Sequence, residues 1–252
     1  MTDTITYNIH ANHVHPTTEI GRNVYIGPGC SIGGDGFWFP RNKRTGETEE
    51  KESFGKVIIE DNVVLQAGVC IDRGMEEDGV TIIGEGTKID NLVHIAHDCH
   101  IGKHNRITAG TIFGGCVTMG DKNFIGLNAT IHPNVVIGDK NKIGMGSVII
   151  PNKKKSNPND KDIESYEVWA GNPAKFLRVD DFWEMPTELK HEIEWKRHKE
   201  NNARPKTKPF TTSIESDFLD QLLKYVNEME PITWKIEPGF DRKYVLRLVL
   251  KK

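Results

Sequence analysis

From Ile59 onward a large apolar residue returns at every sixth position: Ile59, Leu65, Ile71, Ile83, Ile89, Ile95, Ile101, Ile107, Phe113, Met119, Ile125, Ile131, Ile137, Ile143 and Ile149. Only Glu77 breaks the frame. Four positions after most of these the side chain is small or compact, as at Val63, Val69, Thr87, Val93, Cys99, Thr111, Val117, Ala129 and Ser147. A shorter register at Val14, Ile20, Ile26 and Ile32 comes first, and the charged, aperiodic residues 38–56 between the two read as a loop excursion. A six-residue period fits neither a helix nor a simple alternating strand. It predicts a parallel β-helix, in which each hexapeptide supplies one flat side and two inward positions.

A longer period sets the cross-section. Gly102, Gly120 and Gly138 lie 18 residues apart, and so do Asn105, Asn123 and Asn141. A corner rich in Gly and Asn therefore returns once per three hexapeptides, and both residue types tolerate the left-handed backbone of a sharp turn. The expectation is an all-β solenoid of triangular section over residues 1–180, whose stacked coils bury a continuous column of Ile. Beyond it, polar residues 153–164 read as a loop. The run PTELKHEIEWKRHKEN, beginning with Pro186 and Thr187, reads as a helix, and SIESDFLDQLLKYVNEME as a second, capped by Ser213 or Ser216. KYVLRLVLK alternates like a strand, so residues 181–252 are expected to form a small, mainly helical extension.

Charge and cysteine content narrow the partners. A net charge of -3 gives no general reason to expect nucleic acid or an anionic membrane surface. The N-terminus has no basic stretch followed by an apolar one, and no run of about 18 apolar residues occurs, so a cytoplasmic protein acting on small molecules is expected. Cys30, Cys70, Cys99 and Cys116 show no zinc-type or disulfide-type spacing and read as structural, with Cys30 and Cys99 at small inward positions; no metal is expected.

Candidate chemistry concentrates in HIAHDCHIGKH, residues 94–104. In the six-residue frame His97 is outward, whereas His94 and His100 end successive hexapeptides near different corners. Stacking by 18 puts His97 between Gly79 and Gly115, beside a strip without side chains, and His104 among Lys122 and Lys140 as a solvated turn residue. The same arithmetic stacks Asp72 on Asp90, so Asp72, Arg73, Asp90 and Asn91 are candidates for holding a sugar or amino group, with Arg73 and Lys88 as alternative structural counter-ions. Gly36, Phe37 and Trp38 precede the loop excursion, and Phe37 and Trp38 are candidates for a stacking surface. Gly171, Asn172 and Pro173 read as the turn that ends the repeats.

GGDGFWF, GKVIIEDNVVLQAGVCIDRG, TKIDN and IAHDCHIG occur in an order and at separations that closely resemble the UDP-3-O-acylglucosamine N-acyltransferase family of lipid A biosynthesis. HIAHDC is also similar to the related UDP-N-acetylglucosamine O-acyltransferases. The resemblance spans roughly residues 12–150 and implies a left-handed β-helix. It also implies a homotrimer with sites between neighbouring prisms, a general base at His97 and an accessory histidine at His94. Imidazole, with an ordinary pKa of about 6.5, suits removal of the nucleophile's proton in acyl transfer, and the Gly115 N–H is a candidate oxyanion donor.

Three departures from that family stand out. The repeats begin by about residue 12, without the family's separate nucleotide-binding domain. Asn134 stands where the family has a second histidine, with His132 two residues earlier. VWAGNPAKFLR, residues 168–178, resembles a segment along the coenzyme A groove of hexapeptide acetyltransferases, which makes Gly171, Asn172, Pro173, Lys175 and Arg178 candidate cofactor contacts. The leading expectation is an acetyl-CoA-dependent N-acyltransferase acting on a nucleotide-linked amino sugar. The alternative is a long-chain, acyl-carrier-protein-dependent enzyme of the lipid A type. A γ-type carbonic anhydrase needs three convergent histidines at spacings absent here, and a non-catalytic scaffold is the bland reading.

Overall fold

The computed structural model describes residues 6–7, 12–49, 51–152, 157, 160–202, 232–238 and 244–250. Between Thr6 and Gly171 the chain winds round three parallel sheets. The first face stacks Thr6–Tyr7, Tyr25–Ile26, Val64–Leu65, Lys88–Ile89, Arg106–Ile107, Phe124–Ile125, Lys142–Ile143 and Glu167–Gly171. The second stacks His13–Val14, Ser31–Gly34, Cys70–Asp72, His94–Ile95, Ile112–Phe113, Thr130–Ile131 and Val148–Ile149. The third stacks Glu19–Ile20, Lys56–Ile59, Val80–Ile83, His100–Ile101, Thr118–Met119 and Val136–Ile137. Thr6–Tyr7 pairs in parallel with Tyr25–Ile26, so the winding reaches further toward the N-terminus than the repeats alone suggest.

The column of apolar residues forms the core. Ile59, Leu65, Ile71, Ile83, Ile95, Phe113 and Ile125 are shut away from solvent, as are the compact partners Val63, Thr81, Val93, Cys99 and Ala129. Phe113 is the largest of these side chains, and Phe113→Ala is expected to destabilise the protein by about 3–5 kcal/mol, through lost transfer energy plus the cavity left behind. Thermal unfolding followed by circular dichroism checks this. A midpoint unchanged from wild type would mean that the column does not hold the coils together.

The Gly/Asn corner works differently from the sequence expectation. Asn105, Asn123 and Asn141 are buried at the small inward position, and the left-handed turn residues are their neighbours His104, Lys122 and Lys140, with φ of 54°, 59° and 58°. The Asn amides form a ladder instead: the Asn123 N–H donates to Asn105 Oδ1 and the Asn141 N–H to Asn123 Oδ1, each at 2.8 Å. Each amide oxygen thus satisfies a backbone donor of the next coil that would otherwise be buried unpaired. Gly102 and Gly120 are needed for close approach rather than for φ, since a Cβ on Gly120 would lie against the Asp139 carboxylate.

Two insertions leave the prism at one corner, between the second and third faces. The first is the 38–56 excursion, carrying a small antiparallel bridge between Arg41 and Thr48. The second is a single extra hexapeptide after Asp72, which contains Glu77. Ile71 consequently pairs with Ile95, 24 positions on, whereas Ile95 pairs with Phe113, 18 positions on. The insertions pack on each other: Arg73 donates to the carbonyls of Ser53 at 2.9 Å and Gly33 at 2.7 Å, and its guanidinium pairs with Asp35 at 2.5 Å.

The last coil turns back through Ala174–Val179, antiparallel to Glu167–Gly171. The predicted helix is present at Thr187–Asn202. Arg197 anchors it by a bidentate pair with the fully buried Glu167 carboxylate, at 2.6 and 2.8 Å, and lies 5.2 Å above the Trp169 ring. This anchor places the first turns of the helix with the β-helix in one compact unit, Met1–His198. In the second unit, Lys199–Lys252, the predicted strand forms half of an antiparallel hairpin, Ile232–Pro238 with Tyr244–Leu250. The expected second helix lies outside the described residues. Among the described residues no helix is long and apolar enough to cross a membrane.

Candidate active site

His97 follows the second-face strand His94–Ile95, at the corner from which both insertions depart. Its ring lies over bare backbone: a Cβ added to Gly115 would come 2.6 Å from Nε2, and one on Gly36 would come 3.0 Å from Cδ2. Glycine at these two positions leaves the imidazole its place. Trp38 stands edge-on to the ring, with centroids 6.2 Å apart. Only 12% of the His97 side-chain surface remains open.

Asp98, the next residue, orients the ring. It takes a left-handed turn conformation, φ 56°, which brings Oδ2 within 2.8 Å of His97 Nδ1. Nδ1 donates to this carboxylate, and Nε2 faces Gly115. The donor atoms of His97, Asp98 and Cys116 all lie within 4.8 Å of one another. Cys116 and Asp98 together raise the His97 pKa to about 9, Cys116 contributing most and burial opposing them. The Cys116 N–H donates to the His97 carbonyl at 2.9 Å, which ties the two corners together.

Asp72 and His94 complete the polar wall. His94 Nε2 stands 3.7 Å from Asp72 Oδ2. Burial pushes the Asp72 carboxyl above the usual carboxylate range, and the charges of His94 and His97 oppose that push. Among the described residues the Gly115 N–H makes no hydrogen bond, so it is available as a donor to a developing oxyanion.

The extra hexapeptide overturns two sequence inferences. Asp72 does not stack on Asp90: Asp72 ends a second-face strand, whereas Asp90 follows the first-face strand Lys88–Ile89. Asp90 Oδ1 accepts from the N–H and the side-chain amide of Asn91, both at 2.8 Å, and Asn91 Oδ1 accepts from the Ala67 N–H at 3.1 Å. Asp90 and Asn91 thus hold a turn away from His97. Gly79 is not the glycine below His97 either; it lies in the inserted loop against Asp98, and Gly36 takes that place. Arg73 serves the insertions, with its guanidinium on Asp35, Ser53 and Gly33.

The other histidines separate as expected. His100 lies on the third face between Ile82 and Thr118, and His104 is a corner residue. His132 hydrogen-bonds the Pro133 carbonyl through Nδ1 at 2.9 Å, and Asn134 is a left-handed corner residue, φ 63°. Phe37 is 85% exposed and packs on Phe39, so Trp38 is the aromatic residue beside the histidine.

Gly171, Asn172 and Pro173 form the hairpin turn that ends the prism. Lys175 is exposed, while Arg178 is occupied by the Val179 carbonyl at 3.0 Å and by Asp181. The hairpin stacks four coils beyond His97, through Lys88, Arg106, Phe124, Lys142 and Val168, or roughly 19 Å at one inter-strand spacing per coil. Asp98 and Cys116 are the site residues that the sequence reasoning missed. Their signal was available, because Asp98, Cys116 and Asn134 lie 18 apart at one corner.

The family model described as bacterial transferase hexapeptide (six repeats) matches residues 81–115. A UDP-3-O-acylglucosamine N-acyltransferase of Methylorubrum populi is 40% identical over 168 residues, 67% of this chain and 44% of the relative. One of Wolinella succinogenes is 43% identical over 109 residues, 43% of this chain and 33% of the relative. The chain thus spans less than half the length of these curated relatives. Among solved structures, UDP-N-acetylglucosamine acyltransferase from Campylobacter jejuni superposes with a TM-score of 0.53 at 20% identity, covering 88% of this chain and 83% of that one. The chain is a hexapeptide-repeat left-handed β-helix and resembles the UDP-3-O-acylglucosamine N-acyltransferases.

Proposed function

We propose that this hexapeptide-repeat protein transfers an acyl group from a thioester donor to the amino group of a nucleotide-linked amino sugar, with His97 as general base. One observation carries the reading: an imidazole oriented by Asp98 at 2.8 Å on Nδ1, with Nε2 over the bare backbone of Gly115. A base held by a carboxylate and directed into a space lined by a free N–H is what deprotonation of an attacking amine and stabilisation of its tetrahedral adduct require. His94 and Asp72 stand where they can hold the acceptor, and Trp38 offers a face for a ring. A trimer fits this reading, since Leu92, Leu127 and Met145 are exposed apolar side chains at the corner between the first and second faces, which another copy would cover.

For the donor, the relatives favour the acyl-carrier-protein alternative over acetyl-CoA. Both sequence relatives named above are UDP-3-O-acylglucosamine N-acyltransferases, whereas acetyl-CoA rests on the hairpin at Gly171–Pro173, four coils from the base. Turnover of a UDP-linked amino sugar is the test, with long-chain acyl carrier protein and acetyl-CoA compared as donors. The expected result is a kcat/KM about tenfold or more higher with the charged carrier protein, an advantage on the order of 1.4 kcal/mol in transition-state binding. Turnover with acetyl-CoA alone would reverse the donor assignment. Acylation of no amino sugar by either donor would overturn the function.

A further inference from the structure

A histidine is aimed only as well as the carboxylate that holds it, and Asp98 stands on a corner turn with 26% of its side chain open to solvent. The inserted hexapeptide supplies what fixes it. Asp98 Oδ2, 2.8 Å from His97 Nδ1, also accepts from the Met75 N–H at 3.3 Å. Gly79 admits the carboxylate, because a Cβ there would come 2.7 Å from Asp98 Oδ1. Met75 is buried, and its sulfur reaches the glycine beside the imidazole: a Cβ on Gly36 would lie 2.7 Å from Sδ and 3.0 Å from His97 Cδ2. Met75 and Gly79 thus meet Asp98 directly, and Met75 shares Gly36 with the His97 ring.

The inserted hexapeptide adds no coil to the prism, so it takes its shape from the longer excursion alongside. The Phe54, Gly55 and Lys56 N–H groups donate to the carbonyls of Met75, Gly74 and Gly79, at 3.0, 3.0 and 3.1 Å. Arg73 closes this seam. Its Nε donates to the Ser53 carbonyl at 2.9 Å, Nη1 to the Gly33 carbonyl at 2.7 Å and Nη2 to Asp35 Oδ1 at 2.5 Å. One planar group thus ties the entry of the long excursion, at Gly33 and Asp35, to its exit at Ser53, from a position two residues before Met75. All three nitrogens of the guanidinium are engaged and only 12% of the side chain is open, which suits a structural tie rather than a contact for a sugar or an amino group.

We infer that Arg73 is a positioning residue of this site: by locking the two insertions together it keeps the Met75 N–H on Asp98 Oδ2, and through Asp98 it aims the His97 ring. The kinetic consequence rests on the acyl-transfer reading; the geometric one does not. Misplacing a reacting group by about 1 Å costs on the order of 100-fold in rate. Arg73→Ala is accordingly expected to lower kcat about 10–100-fold, with KM for donor and acceptor changed by less than about twofold. Arg73→Lys keeps the charge opposite Asp35 without the planar fork, so its kcat is expected to lie between those of Arg73→Ala and wild type. Added guanidinium ion, which reproduces the fork, is expected to restore turnover to Arg73→Ala but not to Arg73→Lys.

Pairing Arg73→Ala with Asp98→Gly in the full chain separates this role from general support of the fold. Glycine accepts the left-handed backbone of residue 98, φ 56°, and removes the carboxylate. If Arg73 acts through Asp98, the double variant is expected to turn over no more slowly than Asp98→Gly alone. Should Arg73→Ala not fold, as judged by circular dichroism, Arg73→Lys takes its place in the same cycle. Histidine NMR gives a readout free of substrate: the His97 Nδ1 proton, held by Asp98, is expected to show a downfield resonance in the wild type that is lost in the Arg73 variant. Losses that multiply in the double variant overturn the inference. A raised KM at unchanged kcat overturns it in favour of a substrate contact. A downfield proton absent from the wild type, or unmoved by the Arg73 substitution, overturns it as well. Loss of that proton in a protein that acylates no amino sugar upholds the positioning and overturns the acyl-transfer reading instead.

Discussion

His97→Ala is expected to lower kcat for acyl transfer by about 10²–10⁴-fold, the range over which a positioned acid–base group contributes. The loss belongs to catalysis rather than folding, because His97 lies outside the apolar column and the backbone ladder at this corner runs through Cys116 N–H and the His97 carbonyl, which the substitution keeps. The circular dichroism spectrum of the variant is therefore expected to match wild type, with the melting temperature lowered only by the stabilisation that the protonated imidazole supplies. His94→Ala should cost less, since His94 Nε2 is 3.7 Å from Asp72, beyond a good hydrogen bond, and 39% of its side chain is open to solvent. Near-normal turnover in His97→Ala with saturating donor and acceptor would remove the general base from the mechanism.

The second large effect is on the proton that His97 holds. In the free protein its imidazole is expected to titrate near 9, against an ordinary 6.5, because Cys116 and Asp98 stabilise the protonated ring more than burial penalises it. The sign of the linkage follows. The folded-state pKa is raised, so the stabilisation is fully present below 6.5 and is lost as pH rises through about 9. Histidine-selective NMR across this window gives the midpoint directly. In Cys116→Ala, which removes the largest cause, the midpoint is expected to fall back toward the ordinary histidine range, and Asp98→Asn should lower it by less. A midpoint that ignores the Cys116 substitution would mean that sulfur and imidazole are not in electrostatic contact.

Much of this site was legible before any coordinates. The outward position of His97 and the glycine at 115 were read from the frame, Trp38 from the aromatic run before the loop excursion, and all three meet in the structure. Asp98 escaped because it was weighed as a neighbour in sequence, and its reach to Nδ1 depends on a left-handed backbone that no spacing announces. Cys116 escaped because cysteine is usually packing material and was set aside by type. Its corner position, 18 residues after Asp98, was the signal available. Asn105, Asn123 and Asn141 were rightly singled out but given the wrong work: a short amide serves a turn or a buried ladder equally well, and only the path of the chain decides between them.

The sequence by itself determined which side chains point inward, because a six-residue repeat fixes the direction of every side chain relative to the axis. It also determined three faces, through the return of Gly and Asn after 18 residues. Only the tertiary structure decided which residues are neighbours across coils. An inserted hexapeptide at Glu77 keeps the six-residue phase and shows in the pattern only as one missing apolar residue, yet it leaves the prism as a loop and shifts the stacking from 18 to 24 positions. That shift parts Asp72 from Asp90 and turns Asp72 toward His94, and it puts Gly36 rather than Gly79 against His97. Direction within a coil is a local property of the backbone. Contact between coils depends on how much chain is spent at each corner, which the folded molecule alone settles.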